Sequence, residues 1–159
     1  MSTASPEPES PLAPPDTVDD RSLRGLAGYQ LRRADLAMQQ YFVREIGEPF
    51  DLRQVEFSVL ILLAANAALT HKQISESLGV APSNMVAVMN KLAGRMLIER
   101  HEHPHDGRSF LWCLTAAGQT LEAEASGAVA RMEARVLGDA AGVVTTLDAL
   151  WSTGAARRD

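Results

Sequence analysis

Between Leu78 and Pro82 the chain is punctuated twice within five residues. Gly79 is suited to stop one helix, because glycine enters the left-handed region without a Cβ penalty. Pro82 is suited to start another, since its fixed φ and missing N–H cost nothing at a first helical position. Upstream, Thr70 can cap a short helix from His71 to Leu78, with Ile74 and Leu78 four apart on one face. Downstream, the next helix runs from Pro82 to about Arg95. Helix, three-residue turn, helix is an arrangement that can lay its second helix in a DNA groove.

At 100° per residue the second helix has two unlike sides. Met85, Val88, Met89 and Leu92 cluster on one of them. The other carries Ser83, Val86, Ala87, Asn90 and Gly94, flanked by Asn84 and Lys91, all small or hydrogen-bonding and none acidic. Such a face can approach a groove without repelling phosphates. Lys72 and Lys91, which flank the helix pair, are expected at phosphates.

What surrounds the pair is mostly helical. Leu23, Leu26, Leu31, Ala34, Met38, Tyr41, Phe42 and Ile46 recur at helical spacings from Ser22 to about Ile46, and Gly47 and Pro49 are expected to end that helix. Phe50-Asp51-Leu52 then leads into a helix from about Arg53 to Asn66, whose run Val59 to Leu63 is apolar nearly all round and belongs in the core. After the pair, Leu97 to His103 and Ser109 to Leu114 are β-prone segments joined through Pro104-His105-Asp106-Gly107-Arg108, and Asp-Gly is a strong hairpin signal. Thr115 can cap a long helix from Ala116 to about Leu137, although Gly118 stands where a capping box would need its acid. A last helix, about Val143 to Trp151, follows Gly138-Asp139.

The net charge of −5 is unexpected for a nucleic-acid binder, yet it arises in the first twenty residues, where Glu7, Glu9, Asp16, Asp19 and Asp20 face no Lys or Arg. The rest balances fifteen acids against fifteen basic residues. The same segment holds five of the eight prolines, so residues 1–20 read as a disordered acidic, Pro-rich tail and 21–159 as one globular domain.

Other functional classes find little support. The longest apolar run, Val59 to Ala65, is far below the roughly 20 residues of a membrane span, and there is no basic-then-apolar leader. One cysteine makes neither an intrachain disulfide nor a cysteine zinc cluster, so a reducing cytoplasm is expected. Cys113 reads as a buried, inert thiol. His101, His103 and His105 alternate and would share one strand face, a weak metal signal that Pro104 interrupts. No placed nucleophile and base, phosphate-cradling loop or metal cage appears, so neither an enzyme nor a cofactor is expected.

Several blocks together resemble the MarR (multiple antibiotic resistance regulator) family of winged-helix regulators, over about Gly28 to Trp151. They are Gln54-Val55-Glu56-Phe57-Ser58-Val59-Leu60, Ile74-Ser75-Glu76-Ser77-Leu78-Gly79-Val80, Leu97-Ile98-Glu99-Arg100, and Asp106-Gly107-Arg108-Ser109 followed by Leu114-Thr115-Ala116-Ala117-Gly118. The resemblance implies a mainly α chain, with a winged helix-turn-helix over about 52–115 and dimerisation helices over about 22–46 and 116–153. It implies a homodimeric, ligand-responsive repressor on a palindromic promoter site. Its DNA-facing set would be Lys72, Pro82, Ser83, Asn84, Val86, Ala87, Asn90, Lys91, Asp106 and Arg108, with Arg108 entering a minor groove.

The chain departs from the family pattern at three places: Ala87 replaces a usual Arg, Ala93 a usual Glu, and Met96 the usual Gly before the first wing strand. Base readout is therefore expected to lean on Ser83, Asn84 and apolar contacts from Val86 or Ala87. By family precedent the effector is an aromatic acid or its coenzyme A thioester, with Arg32 or Arg33 meeting the anion and Tyr29, Tyr41, Phe42 and Phe57 as walls. Two other readings are a winged-helix protein-interaction module without specific DNA binding, and a metal-responsive repressor using the wing histidines.

Overall fold

A computed structural model of the chain describes residues 18–102 and 110–155. The expected tail lies outside it except for its last three residues, and so does the wing tip with His103, His105, Asp106 and Arg108. Two compact units divide at Ala37 and Met38.

The described part of the first unit is helical. A single turn, α1 (Arg21–Arg24), stops at Gly25, and α2 (Ala27–Phe42) begins two residues later, so the expected unbroken helix from Ser22 is interrupted. Arg21 and Arg24 close onto Asp19 and Asp20 at 2.7 and 2.8 Å. Leu23, Leu26, Leu31 and Leu36 are all exposed.

In the second unit α2 does not end at Gly47. It widens into one π turn, Val43–Gly47, and continues as α3 (Glu48–Phe50), ending where Asp51 adopts a left-handed φ of 48°. Gly47 and Pro49 were expected to terminate the helix, but the chain stays helical through both, and Pro49 follows directly on the π turn, where the regular ladder is already interrupted. The Leu52 N–H then reaches back to the Gly47 carbonyl at 3.0 Å.

Next comes α4 (Gln54–Asn66), which buries Glu56, Phe57, Val59, Leu60 and Leu63 and forms the middle of the core as its composition predicts. A two-residue strand, β1 (Leu69–Thr70), precedes α5 (His71–Leu78) and α6 (Pro82–Gly94). Thr70 caps α5 as expected, its hydroxyl accepting the Gln73 N–H at 3.2 Å while the Gln73 side chain accepts the Thr70 N–H at 2.9 Å. Gly79 ends α5 at φ 61°.

The strands β2 (Ile98–Glu102) and β3 (Phe110–Leu114) pair antiparallel, Ile98 opposite Leu114 and Glu102 opposite Phe110. β1 adds to the other edge of β3, giving the order β1-β3-β2. A long helix, α7 (Ala116–Leu137), and α8 (Ala140–Ala155) complete the chain. The fold is mainly α with one small antiparallel sheet, a winged helix-turn-helix.

The core joins Ile46, Val59, Leu60, Leu63, Ile74, Met85, Met89, Leu92, Ile98 and Leu114 to Ala125 and Met132 of α7. Along α8 the large apolar residues Val143, Val144, Leu147, Leu150 and Trp151 are instead exposed. Among the described residues no helix is long and apolar enough to cross a membrane.

Candidate nucleic-acid interface and adjoining cleft

The two sides of α6 separate as its sequence predicts. Met85, Met89 and Leu92 are at most 1% exposed and anchor the helix on the core. Pro82, Ser83, Asn84, Val86, Ala87 and Asn90 are exposed on the other side. Met85 and the Met89–Leu92 pair leave no freedom of rotation about the helix axis, so the face offered outward is fixed by packing. It bears no acid, and Val86 is its one large apolar group.

Behind α6 the chain is tied down by charge. Glu56 is 1% exposed and has two tasks. One carboxylate oxygen accepts the Arg53 N–H at 2.9 Å, closing the start of α4, and the same oxygen accepts from Lys91 Nζ at 3.1 Å. Burying an ion pair is justified only when both charges are satisfied, and here a backbone amide and an ammonium serve one carboxylate. Lys91, expected at a phosphate, is thus a partner of Glu56, with Asp51 a further 3.9 Å away. One turn on, Arg95 donates to the carbonyls of Phe50 and Asp51 and pairs with the Asp51 carboxylate at 3.6 Å. Sequence reading missed both ties because their partners lie 35 to 45 residues away.

Lys72 is different. It is 82% exposed and stands 3.8 Å from Glu76 on its own helix, a loose surface pair that leaves it able to meet a phosphate. Of the wing, Arg100 lies 4.3 Å over the Phe110 ring, a cation–π contact across the strands at their Glu102–Phe110 end. His101 pairs with Glu99 at 3.2 Å. No group of three or more metal-binding side chains occurs among the described residues. Cys113 is partly buried, and desolvation, then the nearby Glu99 charge, raises its thiol pKa, which opposes thiolate formation.

The join of wing and exit helix is close-packed. Thr115 caps α7 by accepting the Gly118 N–H at 3.0 Å and donates back to the Met96 carbonyl at 2.7 Å. A Cβ on Gly118 would stand 1.9 Å from the Leu97 carbonyl oxygen. This explains why Gly118 occupies the position where a capping box would put an acid: the approach of wing to helix leaves room for hydrogen alone.

The expected effector-binding residues distribute over both units. In the first, Arg32 pairs with Asp35 at 3.1 Å and Arg33 lies 5.8 Å over the Tyr29 ring. In the second, Arg44 covers Tyr41 at 5.1 Å, and Phe42 packs on Phe57 with ring centroids 5.8 Å apart. Phe57, expected as a ligand wall, is a core residue at 6% exposure. Phe42 does line a space. A cleft of about 500 Å³ opens between the π turn and the start of α4, bounded by Phe42, Val43, Gly47, Asp51, Arg53 and Lys91 among others. The cleft therefore reaches the cation that holds α6.

With this geometry, comparison with known proteins is direct. A model of the MarR family matches residues 52–110. A transcriptional repressor, CouR, solved bound to a 23-mer DNA duplex, is 31% identical, with 86% of this chain and 99% of that one covered and a TM-score of 0.76. CouR from Rhodococcus jostii RHA1 bound to p-coumaroyl-CoA is 26% identical over 84% of this chain and 94% of that one, with a TM-score of 0.73. The PcaV transcriptional regulator from Streptomyces coelicolor in complex with its natural ligand is 25% identical over 90% and 99%, with a TM-score of 0.72.

Proposed function

Because this chain belongs to the MarR family and is a DNA-binding transcriptional regulator of that family, we propose that it is a homodimeric repressor released from a palindromic promoter site by an aromatic acid or its coenzyme A thioester. The observation that carries the DNA reading is the outer face of α6: Ser83, Asn84, Val86, Ala87 and Asn90 exposed on a helix whose other side is locked by Met85, Met89 and Leu92. Side chains of this kind read base edges and thymine methyls. Lys72 and, beyond the described residues, Arg108 supply charge for the backbone and a minor groove. The bare apolar residues along α8 support assembly, since a large exposed apolar stripe on a small protein marks an interface. Two copies would place two α6 helices about one turn of duplex apart.

The effector class rests on the likeness to proteins solved with p-coumaroyl-CoA and with a natural ligand, and on a cleft of fitting size beside the helix-turn-helix. The test is binding of the full chain to DNA upstream of its own gene, followed by fluorescence anisotropy across a salt series. Specific binding with a steep salt dependence is expected, and Arg108→Ala is expected to abolish tight binding. Absence of specific binding at low salt overturns the reading in favour of a protein-interaction module. Release of bound DNA by aromatic carboxylates or their thioesters, and by no unrelated acid, is the second expected result.

A further inference from the structure

Lys91 occupies an uncommon position. It leaves the recognition helix at the edge of the outward face, two turns on from Asn84, meets a carboxylate that is all but fully buried, and still keeps 38% of its side chain open. Its surroundings are the cleft bounded by Phe42, Val43, Gly47 and Arg53. An ammonium has three donors. The Glu56 oxygen takes one at 3.1 Å, and Asp51, which lines the cleft together with Glu48, stands at 3.9 Å, within ion-pair range but beyond a hydrogen bond.

We propose that Lys91 couples the cleft to the recognition helix: Glu56 holds its ammonium in the DNA-binding arrangement, and the carboxylate of an effector in the cleft competes for the same charge. The inference rests on the reading of the protein as an effector-released repressor, and it moves the anionic anchor from the expected Arg32 or Arg33 to a residue of α6 itself. Two carboxylates cannot both take the full benefit of one ammonium, so the effector gains most where Glu56 holds least. Drawing Lys91 toward the cleft loosens one of the two ties on α6, the other being Arg95 on Phe50 and Asp51. The effector then has the differential affinity for two helix positions that a shift of equilibrium demands. Phe42 supplies an apolar wall for a ring, and Arg53 a second cation at the rim.

The experiment compares the full chain with Glu56→Gln, Lys91→Met and the double variant. Calorimetry with benzoate, 4-hydroxycinnamate and p-coumaroyl-CoA as probes reads the cleft, and anisotropy with operator DNA over a salt series reads the helix. Lys91→Met is expected to weaken probe binding roughly ten- to a hundredfold, the loss of one charge-assisted contact, and to weaken DNA binding without lowering the salt slope. A phosphate contact would lower that slope by about one unit. Glu56→Gln is expected to bind the probe more tightly than the parent, several-fold, while binding DNA less well. A role confined to stability would weaken both.

The double variant removes both charges of the pair and guards against a fold lost to an unpaired carboxylate. It is expected to melt near the parent and to bind no probe. Parent-like probe binding by Lys91→Met or the double variant, a lowered salt slope in Lys91→Met, or failure of parent and Glu56→Gln alike to bind any probe overturns the proposal. If the parent releases DNA on adding a probe and Lys91→Met does so equally, the coupling fails while the repressor reading stands. If the parent binds no specific DNA, the repressor reading itself fails.

Discussion

The hydroxyl of Thr115 donates to the carbonyl of Met96 at 2.7 Å, fastening a residue whose φ is +57°. Met96 stands where the family resemblance implies a glycine, and the backbone makes the left-handed turn with a residue that does not adopt it freely. A left-handed L-residue costs about 1–2 kcal/mol, partly offset by the about 0.4–1 kcal/mol of extra unfolded-state entropy that glycine brings. Its side chain is 75% exposed and contributes little packing. Met96→Gly is therefore expected to stabilise the chain by about 0.5–1 kcal/mol, a rise of about 1–4 °C in melting temperature. Thermal denaturation followed by circular dichroism checks it, and a fall in melting temperature contradicts the account.

Gly118→Ala should act in the opposite direction and more strongly. Its added methyl would fall 1.9 Å from the Leu97 carbonyl oxygen, a backbone atom that cannot swing aside. The wing must shift from α7, breaking the bonds from the Thr115 N–H and hydroxyl to Leu97. A loss of about 3 kcal/mol or more is expected, the range of severe steric and network defects. Urea denaturation measures it. An effect below 1 kcal/mol would show that the close approach is not rigid.

Arg95→Met retains length and removes the donors to Phe50 and Asp51. Hydrogen bonds involving a charged group contribute about 1.5–3 kcal/mol each in the upper range, and Arg95 is only 27% exposed. Destabilisation of about 1–2 kcal/mol is expected, with weaker operator binding, because of the two charged ties behind α6 only Lys91–Glu56 then remains. Denaturation and anisotropy together check it. Unchanged affinity for DNA would separate the tie from recognition.

Glu45 supplies the pH dependence. Arg135 of α7, then Arg44, hold its carboxyl below the ordinary 4.5. A lowered folded value means that the stabilisation is present above the unfolded value and is lost as pH falls through the folded one. Glu45→Gln should thus melt lower than the parent at pH 6 to 8, and the two curves should converge as pH drops below about 4. A difference that persists undiminished at pH 3 would assign the effect to packing.

Which features could be read from sequence follows from the range of the interactions that make them. Thr70, Gly79 and Pro82 were legible because a cap, a stop and a start are decided within four residues. The inner side of α6 was legible for the same reason, since Met85, Met89 and Leu92 recur at the helical period. β1 was not, because two residues make a strand only when Leu69 finds Trp112 and Thr70 finds Leu111. The π turn was hidden by Gly47 and Pro49, which look like terminators until Asp51 takes the left-handed turn instead. The pairing of Lys91 with Glu56 was not legible for a related reason: a lysine on an otherwise polar face gives no local sign of a buried acid 35 residues away.

The chain has two tryptophans, and the fold gives them separate surroundings. Trp112 is half-buried in the sheet and packs against the core, whereas Trp151 is 78% exposed on the uncovered stripe of α8. Replacing either one by phenylalanine leaves a single tryptophan, so the natural protein already contains two separable optical probes. The Trp112 signal would follow the wing and its sheet, and that of Trp151 the surroundings of α8, so a blue shift with rising concentration would report the proposed homodimer without any added label.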